Sequence, residues 1–207
     1  MKIQSFKTIA SAEQSSCKEK GSEFIARIFP IQTIEEFQTI LHAIKKEYHD
    51  ASHHCYAVNI IEGGEKYSDD GEPSGTAGIR ILNAINHHEL NNAAIVVVRY
   101  FGGTKLGVGP LGMAYSRAAM QSISSCRIIE KKPFIGLTIT IPFEHTNKIY
   151  HLFSLYRVKM KATLFSENVT YNVLILYHEK ESFLINLNDV LKGKSNVIIS
   201  EKIEYLE

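Results

Sequence analysis

The sequence predicts an α+β protein of two domains. Strand-like and helix-like patterns alternate along its 207 residues, and residues 133–207 hold a complete β-α-β-β-α-β series of their own. A charged break, "EKKP" at residues 130–133, separates that series from what precedes it and reads as a linker. The expected domains are therefore 1–132 and 133–207.

In the first, "SEFIARIF" (residues 22–29) reads as a strand with Phe24 turned inward. "TIEEFQTILHAIKK" (33–46) is a helix, because Ile34, Phe37, Leu41 and Ile44 recur at helical spacing. Thr33 and Glu36 have the spacing of a capping box, which satisfies free N–H groups of the first turn. "HHCYAVNII" (53–61) is a strand, and "EGGEK" a turn before Tyr67. Ile81, Leu82 and Ile85 predict a helix from about residue 74 to 88. "AIVVVRYF" is β-branched and, up to Val98, apolar, the pattern of a central strand buried on both faces. A glycine-rich loop follows. "PLGMAYSRAAMQSISS" (110–125) is then a helix, with proline tolerated in its first turn.

In the second, "GLTITI" alternates as a strand does, and Ile149, Leu152, Phe153 and Tyr156 make one helical face. "VKMKATLF" alternates again, with Val158, Met160, Ala162 and Leu164 on one side and Lys159 and Lys161 on the other. "VTYNVLILYH" is a strand. Phe183, Leu187, Val190 and Leu191 form a second helical face that ends at Gly193, a C-cap, and "VIISEKI" closes the series as a strand. This order is that of a ferredoxin-like split βαβ domain.

Composition excludes several function classes. Hydrophobic residues make up 44% and charged residues 22%, with a net charge of +1, so no global field draws the chain to nucleic acid or membrane. Three cysteines, far apart and odd in number, argue against a disulfide framework and for a reducing compartment. The start, "MKIQSF", has no long apolar region, and "AAIVVV" is too short to span a bilayer. The expected location is cytoplasmic.

Four motifs bear on chemistry. "YSDDGEPSGTAG" (67–78) bunches Asp69, Asp70 and Glu72 just before a helix. Such acids cap helices and build turns, or form an acidic rim to a surface site with Arg99 and Lys105 as basic counterparts. Asp69 and Asp70 are adjacent, so on extended backbone their side chains diverge. "FGGTKLGVGPLG" (101–112) contains a literal G-x-G-x-x-G at Gly107, Gly109 and Gly112. It is not a dinucleotide fingerprint, because "YFGGTKL" separates it from the strand and too few βαβ units remain. The loop at 102–112 either offers backbone N–H groups at a helix N-terminus to a phosphate-like anion, or uses its glycines only for close packing. In "HHC", His53 and Cys55 share one strand face while His54 points away. Two ligands do not make a site, so no metal and no cofactor are expected. G-x-S-x-G, Walker and H-E-x-x-H motifs are absent. Lys159 and Lys161 would lie on the open face of the second sheet, a familiar RNA platform. However, basic and acidic residues balance there, eight of each from Phe134 onward.

"KGSEFIA", "HHCYA", "YSDDGEPSGTAG" and "VVVRYFGGTKLGVGPLGMAYSRAA" together resemble the IMPACT/YigZ family across most of residues 20–125. The tail is similar to the second domain of the family's bacterial branch. The resemblance implies a first domain similar to ribosomal proteins, GHMP kinases and domain IV of elongation factor G, and a second similar to that factor's domain V. It links eukaryotic members to translational control, through binding the activator of an amino-acid-starvation kinase. They do this with an additional N-terminal domain that this sequence does not contain. "KLGVGPLGMA" is loosely similar to the phosphate loop of GHMP kinases but lacks their serine pair, so kinase activity does not carry over. The expected function is a non-catalytic module that binds RNA, the ribosome or translation machinery. Arg99, Lys105, Lys159 and Lys161 are then the phosphate contacts, unless Arg99 pairs with Asp69, Asp70 or Glu72. The alternative is a small enzyme holding a phosphorylated or carboxylate ligand at the glycine-rich loop.

Overall fold

The computed structural model describes residues 3–207. They divide into two compact units, Phe6–Glu130, and Lys131–Glu207 with residues 3–5.

The first unit contains β1 (Phe6–Ile9), β2 (Glu13–Glu19), β3 (Ser22–Pro30), α1 (Ile34–Glu47), β4 (His53–Ile60), β5 (Gly64–Ser68), α2 (Gly78–His87), β6 (Ala93–Tyr100) and α3 (Val108–Ser124). β7 (Ile128–Pro142) begins here and continues into the second unit. The sheet is antiparallel, in the order β2-β3-β6-β4-β5. α2 and α3 cover one face through Ile81, Ile85, Ala114, Tyr115 and Ala118, which pack on Phe24, Ala26, Cys55, Ile95 and Val97. α1 covers the other with Phe37 and Ile44, against Val58, Ile60, Val96 and Val98. β6 is thus enclosed on both faces, which is why its sequence is continuously apolar from Ala93 to Val98.

α1 starts as its sequence predicts: Thr33 Oγ1 accepts the Glu36 N–H at 3.2 Å. The Glu36 carboxylate reaches one residue further back than the standard box, to the Gln32 N–H at 2.7 Å. Other boundaries differ. α2 begins at Gly78 rather than near residue 74, because a distant carboxylate caps it. α3 begins at Val108, two residues before Pro110. "EGGEK" is only partly a turn, since Gly64–Ser68 pairs with β4. Nothing in the pattern announced β2, "EQSSCKE", an edge strand with little apolar content.

The second unit orders its strands β10-β7-β9-β8, all antiparallel, where β8 is Lys159–Phe165, β9 Asn168–Leu176 and β10 Asn196–Leu206. α4 (Thr146–Leu155) and α5 (Lys180–Leu191) pack on one face through Ile149, Leu152, Phe153, Phe183 and Leu187. The other face carries polar cross-strand pairs, Thr138 with Asn172 at 2.8 Å and Thr140 with Thr170 at 3.0 Å. "EKKP" is not a linker: its four residues lie inside β7. Pro133 sits one residue before pairing with β9 begins at Phe134, a place where a missing N–H is tolerated. The expected alternation of β8 also breaks. A bulge between Met160 and Ala162 puts Lys159, Ala162 and Leu164 opposite Leu174, Asn172 and Thr170, so these three share a face. α5 ends one residue before the expected cap, at a left-handed Lys192, and the Gly193 N–H that follows returns to the Asn188 carbonyl at 3.2 Å.

Among the described residues no helix is long and apolar enough to cross a membrane.

Candidate functional site

Arg99 lies near the end of β6, in register with Phe24 of β3 and His53 of β4. Its guanidinium faces α3 and is almost wholly enclosed. Nη1 donates to Glu72 Oε1 at 2.6 Å, and Nη2 to Ser22 Oγ at 3.2 Å. The rings of Phe24 and Phe101 lie 5.4 and 5.6 Å from it, where their π-faces favour a cation. Nε is buried with no hydrogen-bond partner among the described residues. Glu72 Oε1 also accepts the Tyr115 hydroxyl at 2.7 Å. Residues from β3, the loop before α2, β6 and α3 thus converge on one buried carboxylate.

Two further groups join this network. Cys55 Sγ lies 3.0 Å from the Asp69 carbonyl and 3.3 Å from the Tyr115 hydroxyl. Burial pushes its thiol up to about 12 and raises the Tyr115 phenol as well. Both stay protonated near neutrality, so neither is an activated nucleophile. His53 Nδ1 is 2.9 Å from the Asp70 carbonyl, which assigns the proton to that nitrogen. Its Nε2 is 3.7 Å from Glu72 Oε2.

The acidic loop is built into the protein's own framework. Asp69 accepts the N–H groups of Gly75 (2.9 Å), Ala77 (3.0 Å) and Gly78 (2.8 Å), and so caps α2 from nine residues upstream. Asp70 accepts the His54 N–H at 2.7 Å and the Lys45 ammonium at 3.0 Å. His54 points the opposite way from His53, as alternation requires, with Nε2 3.0 Å from the Tyr48 carbonyl. Burial raises the carboxyls of Asp69 and Asp70. The backbone N–H bonds, joined at Asp70 by the Lys45 ammonium, outweigh that and leave both below the ordinary value of 3.8. In place of the expected acidic rim, Asp69, Asp70 and Glu72 are taken up by donors of the chain itself, Glu72 buried and Asp70 partly exposed beside Lys45. Arg99 is the partner of Glu72 and not an exposed phosphate contact.

The glycine-rich loop stands directly above this network. Ser22 Oγ, which receives Arg99, also accepts the Gly102 N–H at 3.2 Å, and Ser52 Oγ accepts that of Phe101 at 3.1 Å. A Cβ on Gly102 would fall 1.9 Å from the Gly21 carbonyl carbon, so only glycine fits. Leu106 is buried and anchors the loop in the core. Gly107 is the N-cap of α3 at φ 82°, a conformation that favours glycine, and contributes no side-chain cap. Gly112 lies against Arg80, whereas a Cβ on Gly109 would meet nothing within 4 Å. Lys105 is exposed and has no acceptor among the described residues. The structure therefore brings Lys105, Gly107 and Gly109 together at an open surface. Ser22 ties the loop at Gly102 to Arg99 and through it to Glu72, whereas His54 and Asp70 engage Tyr48 and Lys45 on the α1 side of the sheet.

Lys159 and Lys161 do not join them. In the second unit the Lys159 ammonium bonds the Glu207 carbonyl at 2.8 Å and sits 4.8 Å over the Phe134 ring. Lys161 pairs with Glu204 at 3.0 Å.

Sequence reasoning missed Ser22, Cys55 and Tyr115 as network members. Tyr115 is spaced as a core residue of α3 and Ser22 as the first residue of a strand. Neither position signals a polar partner 43 or 77 residues away. Among the described residues, no group of three or more His, Cys, Asp or Glu can hold a metal.

Residues 20–123 match the family model of the Impact N-terminal domain. The chain is 30% identical to the IMPACT family member YvyE of Bacillus subtilis, covering 99% of this chain and 95% of that one. It is 27% identical to the IMPACT family member YigZ of Escherichia coli, covering 88% and 92%. A solved structure titled as a crystal structure of a hypothetical protein superimposes with a TM-score of 0.66 at 26% identity, over 97% of this chain and all of that one.

Proposed function

The chain belongs to the IMPACT family, and from that premise we propose that it is a non-catalytic binding module for RNA, the ribosome or a translation factor. The observation that carries this reading is the division of labour around the glycine-rich loop. Groups that would do chemistry, the carboxylate of Glu72, the thiol of Cys55 and the phenol of Tyr115, are buried in mutual hydrogen bonds. What they support is an exposed surface with Lys105 and the uncapped start of α3, suited to one or two phosphate contacts.

The same reading takes 1–132 and 133–207 as two domains. The strand order β10-β7-β9-β8, with helices after the first and third strands of the series, supports a ferredoxin-like second domain, similar to domain V of elongation factor G. Gel shift on structured RNA tests the proposal. Wild type binds at low salt, and Lys105→Ala binds more weakly on every RNA sequence, because a phosphate contact carries no sequence information. Equal binding by both proteins removes Lys105 from the interface.

A second reading, an enzyme holding a phosphorylated or carboxylate ligand at the same loop, is favoured by Gly109. Its open Cα lets an anion approach the α3 N-terminus. Phosphate then raises the Tm of wild type beyond the effect of ionic strength, and Gly109→Val abolishes the increment. An equal response in both rejects this reading.

A further inference from the structure

A cavity of about 460 Å³ opens in the second unit, where β9 ends and α5 begins. We propose that it binds a small organic acid whose carboxylate or phosphate group is held by Arg157. The volume is within the range of small-ligand sites. Pro133 and the buried Leu176 supply an apolar floor, and Tyr177 an aromatic wall. Arg157 and His178 line the same space.

Their partners decide the ligand's chemistry. Among the described residues Glu179 is the only acid lining the cavity, and it accepts the backbone N–H of Arg157 at 3.4 Å. The Arg157 guanidinium itself has no acceptor among the described residues. A planar guanidinium without an acceptor, beside an apolar floor, matches a carboxylate or phosphate bidentately. Glu179 also lies 4.0 Å from His178, and the start of α5 adds positive charge on the same side. α5 starts at the cavity wall with no side-chain cap, and Lys180, its first residue, sits 5.5 Å over the Tyr177 ring. An inorganic anion would leave the floor bare, so the ligand carries an apolar body as well as its acid group. This site lies in the second unit and stands or falls separately from the glycine-rich loop.

The test is a titration of the ¹⁵N-labelled full chain with phenyl phosphate and, in parallel, with benzoate and inorganic phosphate. The expected result is saturable amide shifts centred on Arg157, Tyr177, His178 and Glu179, with inorganic phosphate at least tenfold weaker than the better aromatic probe. Whichever aromatic acid binds more tightly assigns the group as phosphate ester or carboxylate. Arg157→Ala, an exposed position whose change leaves the rest of the spectrum intact, weakens binding at least tenfold. Lys105→Ala leaves it unchanged. Absence of saturable shifts with both aromatic probes, shifts centred elsewhere, or equal affinity in Arg157→Ala overturns the proposal.

Discussion

Glu72 and Arg99, 27 residues apart in sequence, form an ion pair at 2.6 Å with both side chains at most 6% exposed. A pair buried this deeply is weak evidence of net stabilisation, but breaking it strands a charge. Arg99→Met alone therefore costs about 3–5 kcal/mol, and Glu72→Gln a comparable amount. The double variant loses less than the two losses added together, because it strands no charge. Urea unfolding of the three variants measures this. Additive losses would mean that the two residues act independently.

Asp69 makes stability depend on acid. Its folded carboxyl is depressed below 3.8 although burial works the other way, because three backbone N–H groups favour the ionised form. A depressed carboxyl contributes fully above its unfolded value, and the contribution disappears as the pH falls through the folded one. Wild type therefore loses stability on acidification below about pH 4, by an increment that Asp69→Asn lacks. At pH 7, loss of the cap in Asp69→Ala costs about 1–2 kcal/mol. Parallel acid titrations with identical slopes would show that the cap does not act through charge.

Cys55 is buried with its thiol pushed up to about 12, whereas Cys17 is partly exposed. Iodoacetamide at pH 8 modifies Cys17 in the native protein and leaves Cys55 intact, and denaturant makes Cys55 reactive. Peptide mapping checks this. Rapid native modification of Cys55 would show that the network around Tyr115 opens readily.

These predictions rest on features that differ in how far the sequence displayed them. β6 was legible because a strand covered on both faces must be apolar at every position, and "AIVVV" is. α1 was legible because period and capping residues are local. β2 was not, since its inner face is only partly buried and carries Ser15, Cys17 and Glu19, which leave no apolar alternation. The bulge in β8 hides in a run whose spacing looks regular, and it moves Lys159 onto the same face as Ala162 and Leu164. At the site, sequence reasoning identified the acidic and glycine-rich loops as special and left the partner of Arg99 open. Which of Asp69, Asp70 and Glu72 took that role depended on tertiary geometry: Asp69 faces the start of α2, and Asp70 faces β4 and α1. Only Glu72 reaches the end of β6.

Ribosome co-sedimentation over a salt series tests the central claim most directly, comparing wild type with Lys105→Ala. With a net charge of +1, binding depends on a few local phosphate contacts, so wild-type affinity falls only shallowly with salt. Lys105→Ala binds more weakly at low salt, and its log–log slope is smaller by about one. Wild type that stays in the supernatant at low salt, while turning over a phosphorylated metabolite, would contradict the account and leave the enzyme reading in its place.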